Sequence, residues 1–125
     1  MVRFTGMEPV LAVGDLSEDL VYYVEQLGFE VAWSWGEPPV RAGITRDGFE
    51  LQLACDHRFA PSCPARIYFS VRGVDSLYDE CVSRGAEIEL EVDDRAFGMR
   101  DFRVVDRSGN ILGFGERISD GDSTE

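Results

Sequence analysis

The chain runs through the same order of local signals twice. A short apolar run, a helix closed by glycine and three further strand-like runs recur in one order. Gly28-Phe29-Glu30-Val31 and Gly85-Ala86-Glu87-Ile88 lie 57 residues apart, and Leu20 and Leu77 share that offset. The glycines of two hairpin turns, Gly48 and Gly109, lie 61 apart. Self-similarity at a nearly fixed offset marks one supersecondary unit used twice. The 125 residues suffice for one domain with a real core but not for two ordinary domains. The expectation is an α+β fold of two βαβββ modules within one domain over 1–118. Module one covers about 5–55 and module two about 65–118.

In the first unit, Pro9 to Val13 reads as a buried strand. Asp15 is placed to cap a helix, with Glu18 three residues later. Leu16, Leu20, Tyr23, Val24 and Leu27 follow at helical spacing, and Gly28 ends the helix. Phe29 to Trp35 alternates, which places Val31, Trp33 and Trp35 on one face. Pro38-Pro39 stops that strand. Val40 to Arg46 and Phe49 to Ala54 flank Asp47-Gly48, a two-residue hairpin signal. Phe49, Leu51 and Leu53 alternate on the face expected in the core, which puts Glu50 and Gln52 on the other.

The second unit repeats this plan. Arg66 to Val71 is a strand, with Ile67, Phe69 and Val71 expected to face the helices and Arg66, Tyr68 and Ser70 the other side. Val74, Leu77, Cys81 and Val82 mark a helix ending at Gly85; Glu87 to Val92 is the next strand. The closing segment, Phe97 to Glu116, alternates on both sides of Asp106-Arg107-Ser108-Gly109-Asn110. Those five residues cap their own backbone and tolerate positive φ, so the chain should reverse there.

Charge and cysteine content narrow the function. The net charge of −12 argues against nucleic acid as a partner, because phosphate binding needs a basic surface. It would attract a cationic ligand. Apolar residues make up 44% of the chain, too many for a disordered one, yet no run reaches the length of a membrane span. Met1-Val2-Arg3-Phe4 has no apolar signal region, and three cysteines fit no disulfide framework. A cytoplasmic location is expected, with residues 119–125 an acidic flexible tail.

PVLAVGDL, YYVEQLGFEVAW, YFSVRGVDSLYDECVSRGAEI and FGMRDFRVVDRSGNILGFGE resemble, in order, the glyoxalase / bleomycin-resistance / extradiol-dioxygenase (vicinal oxygen chelate) superfamily, its bleomycin-resistance branch in particular. The resemblance runs from about Glu8 to Glu116. It implies that the modules curl into a cup-shaped mixed sheet with helices outside and ligands inside. It also implies a homodimer whose pocket lies in a groove shared by two chains.

Metal-dependent members of this superfamily hold their ion with four inward side chains, usually His, Glu or Gln. The matching positions here are Glu8, Gln52, Arg66 and Gly113. An arginine stays protonated and has no lone pair for a cation, and glycine offers no side chain. Two donors are too few for a divalent ion. No metal and no cofactor is expected. Instead, Glu8 and Arg66 should form an ion pair if the modules meet through their first strands. Cys55, His57 and Cys63 match no zinc spacing, and one histidine in a connector supports no nucleophilic triad.

What remains is an aromatic concave surface. Trp33 and Trp35 lead, followed by Tyr68, Phe97 and Met99, with Glu8, Gln52 and Arg66 as polar contacts. Flat rings stack on planar ligands and attract cations. Glu37, Glu50, Asp93 and Asp94 are available to neutralise a basic drug. The reading is a metal-free binding protein for a bleomycin-type or other aromatic, cationic antibiotic. The alternative is a lyase, transferase or dioxygenase of the same superfamily, its metal held by Glu8, Gln52 and Glu50.

Overall fold

Both repeats fold as the order of their signals predicts. The computed structural model describes residues 1–55 and 64–118. His57, Cys63 and the acidic tail lie outside the described residues. Module one comprises β1 (Val10–Ala12), α1 (Leu16–Glu25), β2 (Glu30–Trp35), β3 (Arg41–Arg46) and β4 (Phe49–Ala54). Module two comprises β5 (Arg66–Ser70), α2 (Val74–Ser83), β6 (Ile88–Asp94), β7 (Met99–Val105) and β8 (Ile111–Arg117). Each module is a four-stranded mixed sheet, ordered β1-β4-β3-β2 in the first and β5-β8-β7-β6 in the second. The first strand of each module pairs in parallel with its last, and the remaining pairs are antiparallel.

The local signals act as expected. Asp15 caps α1, its carboxylate accepting from the Glu18 N–H at 3.1 Å. The first turn of α2 lacks a capping side chain of its own. Glu116 of β8 supplies it, accepting from the N–H groups of Gly73 and Val74 at 3.1 and 3.0 Å. Gly28 and Gly85 end the helices at φ +77° and +82°, where a side chain would be strained. Asp47 and Gly48 both take positive φ, as a tight hairpin turn requires.

One core serves both modules. Leu51, Leu53, Ala42 and Ile44 of the first sheet and Phe102, Val104, Leu112 and Phe114 of the second bury into a single cluster with Leu16, Tyr23, Val74 and Cys81 of the helices. Edge-on contacts link Tyr23 to Phe29 and Phe29 to Phe69, and Phe69 stacks on Phe114, so rings cross the module boundary. Asn110 is a polar rivet at that boundary. Its Nδ2 donates to the Ala12 carbonyl at 2.9 Å and its Oδ1 accepts from the Ala65 N–H at 2.9 Å.

Three local expectations are corrected. The pairing of β2 with β3 slips between Val31 and Trp33, so Val31 pairs with Ile44 and Trp33 with Gly43. A bulge inserts a residue and reverses the facing of what precedes it, which takes Val31 off the face shared by Trp33 and Trp35. Phe49 does not join Leu51 and Leu53 in the core; it follows the hairpin tip and is 73% exposed. Glu8 and Arg66 form no ion pair, since each first strand pairs with the last strand of its own module.

Candidate ligand-binding site

The faces of the two sheets turned away from the core carry the residues singled out in the sequence. On the first sheet, Trp33, Gly43 and Gln52 stand in one cross-strand row, and Trp35, Arg41 and Ala54 in the next. The Trp33 indole lies directly over Gly43, where any Cβ would collide with its Nε1. That nitrogen donates to Glu50 Oε2 at 3.2 Å, and Gln52 Nε2 donates to the same oxygen at 3.3 Å. Gln52 Oε1 in turn accepts from Arg41 at 2.8 and 3.3 Å. The chain Trp33–Glu50–Gln52–Arg41 fixes one indole as a floor. Trp35 projects beside it, 69% exposed. Together with Val40, Arg41, Gln52 and Cys55 the two indoles line an open pocket of about 660 Å³.

The second sheet builds a parallel arrangement with a different ring. Tyr68 pairs with Gly113, and its ring lies across Gly113 and Gly115, 2.9 Å from where a Cβ on Gly113 would stand. Its hydroxyl donates to Asp101 Oδ2 at 3.0 Å, while Arg95 Nε donates to Asp101 Oδ1 at 2.7 Å. Withdrawal of the phenol tip from water and its bond to the carboxylate push the Tyr68 pKa up to about 12. Arg66 is exposed on this face, and Arg103 reaches Glu89 at 3.8 Å.

Within one chain the eight expected site residues therefore fall into two groups. Glu8, Trp33, Trp35 and Gln52 belong to module one; Arg66, Tyr68, Phe97 and Met99 belong to module two. Phe97 sits exposed at the β6–β7 turn and Met99 begins β7. The pocket beside Trp33 and Trp35 takes none of its lining from module two.

The four positions that the resemblance matches to metal ligands do not suit a metal here. Gly113 is covered by the Tyr68 ring, Arg66 is a cation, and the Gln52 carbonyl oxygen is already engaged by Arg41. Glu50 Oε2 already accepts two hydrogen bonds. Among the described residues, no three His, Cys, Asp or Glu side chains gather as a metal would need.

The family profile described as "Glyoxalase superfamily protein" matches residues 1–122. The chain belongs to the glyoxalase superfamily. Solved structures of the same fold include TioX from Micromonospora sp. ML1, 20% identical with a TM-score of 0.79, covering 92% of this chain and 100% of that one. A glyoxalase/bleomycin resistance protein/dioxygenase from Alicyclobacillus acidocaldarius is 23% identical with a TM-score of 0.77, over 94% and 95% of the two chains. The bleomycin-binding protein from bleomycin-producing Streptomyces verticillus, solved with copper(II)-bleomycin, is 24% identical with a TM-score of 0.75, over 96% and 100%. Among curated proteins none matches this sequence.

Two site residues escaped the sequence reading, Arg41 and Asp101. The signal for Arg41 was present. A two-residue turn at Asp47-Gly48 fixes the register, which sets Gly43 opposite Gln52 and Arg41 two residues along on the same face. Asp101 gave less warning, because a carboxylate on a strand is ordinarily solvated; here Tyr68 and Arg95 bury it.

Proposed function

We propose that this protein is a metal-free binding protein that sequesters an aromatic, cationic natural product of the bleomycin type and so confers resistance to it. The observation that carries this reading is the indole pair. Trp33 is anchored over Gly43 by Glu50, whose carboxylate accepts from the edge of the ring, and Trp35 stands exposed beside it. A planar cation gains stacking and cation–π attraction from such rings, and a nearby carboxylate adds to it. The donor atoms that catalysis through a metal would require are covered, cationic or already bonded. The overall charge of −12 draws a basic ligand toward the surface. The copper(II)-bleomycin complex of the Streptomyces verticillus protein supports a ligand of this class on this fold.

The working form in this proposal is a cytoplasmic homodimer. Each chain presents two exposed ring-bearing faces, one with Trp35 and one with Tyr68 and Phe97, together with the exposed apolar side chains Phe4 and Met7. Exposed apolar surface of this extent fits a partner chain. Pairing the Trp33–Trp35 face of one chain with the Arg66–Tyr68 face of another closes a groove around the ligand. No helix among the described residues is long and apolar enough to cross a membrane.

Titration with metal-free bleomycin while following tryptophan emission tests the ligand class. Saturable quenching, lost in Trp35→Ala, is the expected result. A flat trace at high ligand excludes this drug class. Sedimentation of the unliganded protein tests the assembly, and a monomer at tens of micromolar would remove the shared groove.

A further inference from the structure

The duplication creates two equivalent junctions, at each of which a hairpin of one module meets the helix of the other. They are built differently. At the first, the β7–β8 hairpin reaches α1. Its turn spans Asp106 to Asn110, long enough for Asp106 to accept from the Tyr23 hydroxyl at 2.8 Å and for Ser108 Oγ to donate to Asp19 Oδ2 at 2.9 Å. Asp19, Tyr23, Asp106 and Asn110 are all buried there.

At the second junction, the β3–β4 hairpin faces α2 with a turn of only Asp47 and Gly48. The internal offset of 57 carries Asp19 and Tyr23 onto Ser76 and Glu80, and the offset of 61 carries Asn110 onto Phe49. The short turn does not fill the space. Ser76 and Glu80 instead line a pocket of about 400 Å³, walled by Phe29, Phe69 and Phe114, with Phe49 at its mouth.

We propose that this junction is a second ligand site, distinct from the face that bears Trp33 and Trp35, for an uncharged, flat molecule of one or two aromatic rings. The volume lies in the range of small-molecule pockets, and the walls are phenyl rings fixed by the core. The lining charges balance. Arg46 and Arg72 offset Asp47 and Glu80, and Arg46 holds Glu80 through two hydrogen bonds of 2.9 and 3.2 Å. Neither a cation nor an anion is favoured. Ser76 lines the same pocket and offers its hydroxyl to a phenol or carbonyl on the ligand. Cys81 contributes its thiol, but burial pushes its pKa up to about 11, so the contact is non-covalent.

The probe is 2-naphthol at pH 7, followed by ¹H–¹⁵N correlation spectra of the full chain. The expected result is saturable shifts at the amides of Phe29, Ser76, Leu77 and Phe114, with the Trp33 and Trp35 indole signals unmoved. Ser76→Phe, at an exposed position, places a ring in the pocket and should weaken binding about tenfold or more. Phe49→Ala removes the ring at the mouth and should weaken it severalfold. Absence of saturable shifts up to the solubility limit overturns the proposal. So do shifts confined to the two indoles, or unaltered affinity in both folded variants.

Discussion

The ring of Tyr68 covers Gly113. A Cβ at position 113 would stand 2.9 Å from Tyr68 Cδ1, closer than side-chain carbons approach. The position that the resemblance matches to a metal ligand thus serves as a seat for an aromatic ring. Reinstating a ligand side chain there is expected to fail. Gly113→His should cost about 1–3 kcal/mol through overpacking. It should also bind no zinc, because Arg66 remains a cation on the same face. Tyr68→Ala in the same chain should recover much of the loss, a coupling of about 1 kcal/mol or more between contacting residues. Urea denaturation of the two single variants and the double variant measures it, and additive losses would show that ring and glycine are independent.

The two indoles should respond differently to a quencher. Trp33 donates its N–H to Glu50 and lies on Gly43, whereas Trp35 is 69% exposed. In Trp33→Phe the remaining emission belongs to Trp35 and should be red-shifted and readily quenched by acrylamide. In Trp35→Phe the remaining emission belongs to Trp33 and should be bluer and quenched less. The opposite order would mean that Trp33 is not held as the floor of the pocket.

Most of the fold was legible because its signals are local. Period-two alternation, the Asp15 cap, the Gly28 and Gly85 stops and the two hairpin turns each act within a few residues. Their recurrence at nearly fixed offsets then gave the architecture. The site was only half legible. Alternation placed Gln52, Arg66 and Tyr68 on the correct faces, but it could not tell which face meets which within the chain. The expected pair of Glu8 and Arg66 rested on the modules meeting through their first strands, whereas each first strand completes its own module. The bulge at Val31 also escaped, since a register slip depends on the partner strand rather than on the strand's own sequence. Buried carboxylates such as Asp101 and Asp19 were invisible for a similar reason. Their burial depends on residues 6 to 89 positions away in the chain.

Asp19 makes stability depend on pH in an unusual direction. Burial pushes its pKa up to about 6 from 3.8, and the neighbouring Asp106 adds to this against the Ser108 hydrogen bond. Its Oδ1 is buried and makes no hydrogen bond among the described residues. Between those two values the folded protein holds a proton that the unfolded chain releases. This contribution to stability therefore falls as pH rises from about 4 to about 6, and stays low above that. The full shift corresponds to about 3 kcal/mol, an upper figure. Asp19→Asn should remove the slope and stabilise the protein by about 1–3 kcal/mol at pH 7.5, and by about a third of that at pH 4.5. Urea midpoints for both proteins at the two pH values measure it. Equal differences at both would mean that Asp19 does not titrate in this range.

The two module junctions should also differ in what they contribute to stability. Asn110 joins β1, the start of β5 and the closing hairpin through Ala12, Ala65 and Asp106, and it is buried. Asn110→Ala leaves a part-buried carbonyl and a part-buried N–H without their partner and removes a donor from Asp106. A cost of about 2–4 kcal/mol is expected, since each orphaned group forfeits about 1–3 kcal/mol. At the other junction Arg46 pairs with Glu80 at 2.9 Å, both about one-third exposed. The guanidinium holds the Glu80 carboxyl below its usual range, and this stabilisation is present at neutral pH and lost on acidification. Solvent screens such a pair, so Arg46→Ala should cost only about 1 kcal/mol, including its bond to the Leu27 carbonyl. Chemical denaturation at pH 7.5 compares the two. A larger loss at Arg46 than at Asn110 would show that the open junction, not the filled one, holds the modules together.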